Sequence, residues 1–130
     1  MNKKISRQQL GIKPVNIRWD VVRGDSSSIK VKFLELDETT SVDISEWQFE
    51  ATAFNNKNKI FDDLEVSYSS YNQEVVITAS SDLTEFWGTG VGSTVAELTF
   101  DLQVIIDPFT IWTPIVGTIT VIGDVTGGRL

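Results

Sequence analysis

Polar and apolar residues alternate along most of this chain, and the alternation has a period of two. Val15, Ile17, Trp19 and Val21 are interleaved with Asn16, Arg18 and Asp20. Ile29, Val31 and Phe33 flank the outward-phase Lys30 and Lys32, and Trp47, Phe49, Ala51 and Ala53 oppose Gln48, Glu50 and Thr52. Leu64, Val66 and Tyr68 predict a further strand, and Val75, Ile77 and Ala79 its antiparallel partner. The longest such segment runs from Val95 to Ile122 and reads as a hairpin turning at Asp107-Pro108. In its first half the even positions Leu98, Phe100, Leu102 and Val104 point inward. In its second half the odd positions Phe109, Ile111, Ile115, Ile119 and Val121 are expected inward. That places Trp112, Pro114 and Val116 on an outward apolar strip, with Ile105 and Ile122 nearby.

The period changes once. Ser80-Ser81-Asp82-Leu83-Thr84-Glu85-Phe86-Trp87 sets an Asp three residues before a Glu, close to a capping box, with Leu83, Phe86 and Trp87 at helical spacing. Gly88, Gly90 and Gly92 allow it only one or two turns. Arg23-Gly24-Asp25-Ser26-Ser27, Asp37-Glu38-Thr39-Thr40 and Ser69-Ser70-Tyr71-Asn72-Gln73 supply turns, and Asn55 to Lys59 a loop tip. Long helical crossovers are missing, so the expectation is an all-β, Ig-like antiparallel β-sandwich of about seven strands, with one short helix and an extended N-terminal arm. The arm is residues 1–14, the sandwich 15–126 and the C-terminal tail 127–130.

Composition narrows the chemistry. With 130 residues, 41% of them hydrophobic, the chain can bury one core without staples. It has no histidine and no cysteine. That removes imidazole bases, thiol nucleophiles, disulfides and the usual zinc ligands. The start carries no apolar run of the kind a secretory signal needs, and no apolar segment is long enough to span a bilayer as a helix. A soluble product of cytoplasmic synthesis is the expectation.

Net charge is −7, unevenly placed. Eight of the eleven basic residues fall between Met1 and Lys32, against two of the eighteen acids. Lys3, Lys4, Arg7 and Lys13 therefore form a basic arm, read either as a solvated tail or as a segment that docks on an acidic neighbour. Nucleic acid is the weaker partner, because the acidic remainder repels phosphate.

Other constellations favour bland readings. Asp62-Asp63 with Glu65, and Glu35 with Asp37 and Glu38, could suggest a glycosidase pair or a calcium site. Adjacent strand residues point to opposite faces, however, and neither cluster has calcium-loop spacing. The three glycines follow a helix instead of preceding one, so they make no phosphate cradle. Arg23-Gly24-Asp25 spells an integrin-type tripeptide that is read as a turn. Trp19 and Trp47 share phase with core residues, which leaves Trp112 as the exposed aromatic for a protein contact or, less directly, a sugar platform.

In order and spacing, several landmarks resemble the small Ig-like β-sandwich domains of tailed-phage virion proteins, in particular the N-terminal domain of the phage baseplate upper protein family. They are Asp20-Val21-Val22-Arg23-Gly24-Asp25 leading into Ile29 to Phe33, then Val42-Asp43-Ile44-Ser45-Glu46-Trp47-Gln48-Phe49. Val75 to Leu83 follows, and then Leu98 to Gln103 with Gly117 to Val121 and Asp124-Val125-Thr126. Glu46 stands where the family usually has Gly, and the long C-terminal extension of larger members is not part of the sequence. The resemblance implies a non-enzymatic virion structural protein that needs no cofactor or metal. It would pack against other virion proteins in a tail, baseplate or neck, as a homo-oligomer in a symmetric assembly, without direct contact to nucleic acid or membrane. On this reading Lys3, Lys4, Arg7, Lys13, Trp112, Pro114 and Val116 form the partner interface. The alternative is a carbohydrate-binding module for host-surface attachment. An acid-pair hydrolase stands far behind both.

Overall fold

A computed structural model describes residues 2–6, 14–34, 37, 39–55, 59–69, 73–87 and 95–123, with backbone alone for 2–6 and 95. The protein is all-β. Eight strands are joined in one hydrogen-bonded order, β1-β3-β6-β5-β4-β7-β8-β2. They are β1 (Asn2–Ser6), β2 (Val15–Val22), β3 (Ser27–Leu34), β4 (Gln48–Asn55), β5 (Ile60–Ser69), β6 (Glu74–Ala79), β7 (Val95–Asp107) and β8 (Thr110–Ile122), with one helical turn α1 (Ser81–Thr84) between β6 and β7. The inner pairs are antiparallel. Both edge pairs, β1 with β3 and β2 with β8, are parallel. Asn2 to Ser6, expected in a separate arm, lies along Lys30 to Leu34 as an edge strand.

β5 divides the order into two halves. Its residues Ile60 to Leu64 pair with β4 and its residues Glu65 to Ser69 with β6, so one strand serves both layers. The layers face each other across one continuous core. Ile29, Val31, Phe33, Val75 and Ile77 come from one half, and Ile17, Trp19, Ala53, Leu102 and Ile119 from the other. The edge of Trp19 meets Phe100 at a centroid distance of 5.6 Å, and its indole N–H donates to Ser27 Oγ at 2.9 Å. Burying these side chains supplies most of the folding drive, at about 25 cal/mol per Å² of apolar surface.

The alternation predicts the inward phase of β2, β3, β6 and β7 correctly, but it fails in the first part of β8. Leu102 pairs with Ile115 while Val104 pairs with Trp112, so β8 spends one residue more than β7 between those two pairs. This is a β-bulge at Thr113-Pro114. Pro114 has no N–H to give to a ladder, which makes it the natural place for the irregularity. The bulge flips the phase. Trp112 is only 5% exposed, and Pro114 is buried. Phe109 and Ile111, expected inward, are instead 96% and 62% exposed. Trp112 packs with Phe33 and Trp47 at 5.8 and 6.4 Å, inside an aromatic cluster that also holds Phe49 and ties the two layers at one end.

The short helix is capped by Ser80, whose hydroxyl accepts from Leu83 N–H, and not by Asp82. Its Leu83 and Trp87 pack inward, whereas Phe86 is 70% exposed. Asn55, expected at a loop tip, is buried at the end of β4. Gly88, Gly90 and Gly92 lie outside the described residues.

Candidate functional site

Two surfaces combine exposed chemistry with a defined shape. The first is the tip of the β7–β8 hairpin. Asp107 and Thr110 pair across a two-residue turn, and the Asp107 carboxylate accepts from Phe109 N–H at 2.8 Å, holding the Phe109 backbone in place. Ile105 pairs with Ile111 just below it. Phe109, Ile111 and Ile105 thus form an apolar projection in place of the expected strip.

The second surface is the outer face of the half formed by β2, β8, β7, β4 and the start of β5. Alternation sends Asn16, Glu50, Thr52, Thr99, Asp101 and Thr118 to this side. A trough of about 600 Å³ opens on this face. The register arranges its lining in rows. Thr52, Asp101 and Val116 lie side by side in one row, and Phe61, Phe54, Thr99 and Thr118 form the next. Glu50 opposite Gln103 makes a third. The rings of Phe54 and Phe61 sit 4.5 Å apart at 38°, with Phe61 71% exposed. Partial burial raises the carboxyl pKa of Asp101 above its ordinary value, since desolvation disfavours the charged form.

The expected interface residues are scattered by this arrangement. Val116 is half-buried in the trough, while Trp112 and Pro114 belong to the core and present no partner surface. Lys3 and Lys4 fall in β1 opposite Val31 and Lys32, and Arg7 and Lys13 lie outside the described residues. The trough itself is not among the surfaces that alternation predicts. Its signal lies in the outward phases of five strands, but no single strand shows that those phases line one trough.

Asp62 and Asp63 separate as alternation requires. Asp62 accepts from the Trp87 indole at 3.0 Å, and Asp63 is exposed on the other side. Arg23 of the Arg-Gly-Asp turn is fully buried, its Nε donating to the Trp87 carbonyl at 3.0 Å, so the tripeptide cannot present an adhesion site. Gly24 has φ of 87°, which glycine adopts readily. Among the described residues no three His, Cys, Asp or Glu side chains are grouped to hold a metal ion, and no helix is long and apolar enough to cross a membrane.

No protein-family model matches the chain, and no curated protein does. Among solved structures, it is similar to the N-terminal domain of phage TP901-1 ORF48, at 15% identity and a TM-score of 0.43, covering 95% of this chain and 98% of that one. It is also similar to the M1 domain from titin, at 11% identity and a TM-score of 0.40, covering 84% of this chain and 90% of that one. At TM-scores this low, neither likeness carries weight for function.

Proposed function

We propose that this chain is a non-enzymatic structural subunit of a tailed-phage virion, a tail, baseplate or neck component that packs against other subunits of a symmetric assembly. The ordered series of motifs from Val15 to Thr126 supports the virion reading. The observation that supports packing is the hairpin tip, where Phe109 is 96% and Ile111 62% exposed beside Ile105. Large apolar side chains clustered at one projecting end gain by being covered, and protein contacts are the common way to cover them. The edge strands β1 and β2 offer a second means, because an edge can accept a further strand.

The test is a Phe109→Ser, Ile111→Ser double variant, followed by sedimentation of the chain alone and by incorporation into particles. Both side chains are outside the core, so the thermal unfolding midpoint should hardly move. Incorporation should fall severely. Full incorporation of the double variant sinks the packing role of the tip.

A further inference from the structure

We propose that the trough on the outer face of the β2-β8-β7-β4-β5 half is a binding site for a neutral oligosaccharide. Its walls offer the two kinds of contact a sugar ring needs. At one side Phe61, 71% exposed and braced by Phe54 at 4.5 Å, presents an apolar face for the C–H side of a pyranose. Across the floor, the hydroxyls of Thr52, Thr99 and Thr118 and the carboxylate of Asp101 stand in adjacent register rows, where ring hydroxyls can both donate and accept.

Asp101 is the residue that points to a hydroxyl-bearing ligand. It lies between Thr52 and the apolar Val116 in the register, half-buried, and burial raises its carboxyl pKa. A carboxylate placed in this way loses hydration without a compensating hydrogen bond from the described residues. A pair of ligand hydroxyls would restore it with charge-assisted bonds.

Charge then selects the class of ligand. Glu50 and Asp101 line the trough, and Asp63 and Glu97 share its face. Among the described residues of this face the base is Arg18, which already pairs with Asp20 at 3.4 Å. A field of this sign repels phosphorylated or uronic polymers and leaves neutral ones unopposed. An open trough of about 600 Å³ has room for a few sugar rings.

The site does not depend on the assembly role, and its test leaves that role untouched. The full chain is titrated calorimetrically with neutral hexose and N-acetylhexosamine oligosaccharides and with a uronic-acid oligomer. The expected result is micromolar to millimolar binding of at least one neutral oligosaccharide, weakened roughly tenfold or more by Phe61→Ala and by Asp101→Asn. Phe109→Ser should leave it unchanged. The unfolding midpoint of each variant is measured alongside, so that a folding defect is not read as lost binding. The proposal is overturned if no neutral oligosaccharide binds at millimolar concentration, if the uronic oligomer binds as well as the neutral ones, or if the two trough variants bind like the parent. It is equally overturned if Val116→Arg dissociates an oligomer of the parent chain, because the trough would then be covered by a second copy.

Discussion

The indole N–H of Trp87 donates to Oδ2 of Asp62 across 3.0 Å, fastening the segment after α1 to the strand shared by both layers. The Trp87 carbonyl meanwhile receives the buried Nε of Arg23, and Thr84 Oγ1 accepts from Gly24 N–H at 3.1 Å and donates to Asp25 C=O at 2.8 Å. The turn after β2, the helical turn and β5 are therefore one unit held by polar bonds. Arg23, Thr84 and Trp87 are buried, so a partner lost to any of them leaves a desolvated donor or acceptor behind.

Asp62→Ala should accordingly destabilise the fold by about 1–3 kcal/mol, because the Trp87 indole, 1% exposed, would keep its burial and lose its acceptor. Asp63→Ala, on the exposed side, should change stability by less than about 0.5 kcal/mol. Urea unfolding of the two variants checks the contrast. Equal effects would mean that the indole bond contributes nothing.

The core placement of Trp112 makes a second contrast. Trp112→Ala should cost about 3–5 kcal/mol through the cavity it opens among Phe33 and Trp47. Trp112→Phe should cost far less. The indole Nε1 is buried with no hydrogen-bond partner among the described residues, so its removal relieves an unsatisfied donor and partly offsets the lost volume. Thermal denaturation of both variants distinguishes this from a surface position, where even Trp112→Ala would be nearly neutral.

Gly117 sits where β2 and β8 come together in parallel, paired with Ile17. A Cβ there would stand 2.1 Å from the Ile17 carbonyl oxygen and 2.7 Å from Phe100 Cε1. The backbone oxygen cannot swing aside as a flexible side chain could. Gly117→Ala is expected to lose about 1–3 kcal/mol or more as the edge strand is pushed off, seen as a lower unfolding midpoint and faster amide exchange across β2.

Asp37 predicts a pH effect confined to one loop. Its carboxylate accepts from Thr39 N–H at 2.9 Å and from Thr40 N–H at 2.8 Å, as well as from the Thr40 hydroxyl. Bonds to the charged form, the Thr40 hydroxyl first, lower its pKa to about 2. Since the folded value lies below the ordinary aspartate value of 3.8, the stabilisation is present above 3.8 and disappears as pH falls through about 2. Carboxyl chemical shifts of Asp37 should titrate near the lower value. A titration near the ordinary aspartate value of 3.8 would show that the turn bonds are not formed.

Much of this fold is legible from one strand at a time. Trp19, Phe33, Ile77 and Leu102 sit inward because each lies in an unbroken alternation, and within such a run a side chain's face follows from its position alone. The Asp62 and Asp63 split and the positive φ at Gly24 are local in the same way. Trp112 was not legible, because alternation carries across a proline only if pairing does. The extra residue at Thr113-Pro114 is defined by the opposite strand, where Leu102 and Val104 set the count.

An all-β chain, most of its inward faces and its turn chemistry follow from alternation and turn residues along the chain, since these depend on neighbours two to four residues apart. Which end of the long hairpin is buried, and where an outward surface becomes a site, depends on how distant strands pair. Ile111 projects because a bulge reversed the phase behind it, with Phe109 beside it in the turn, and Asp101 shares a trough with Phe61 because strands distant in sequence pair side by side. Both outcomes rest on register between strands, which hydrogen-bonded pairing fixes and no single strand contains.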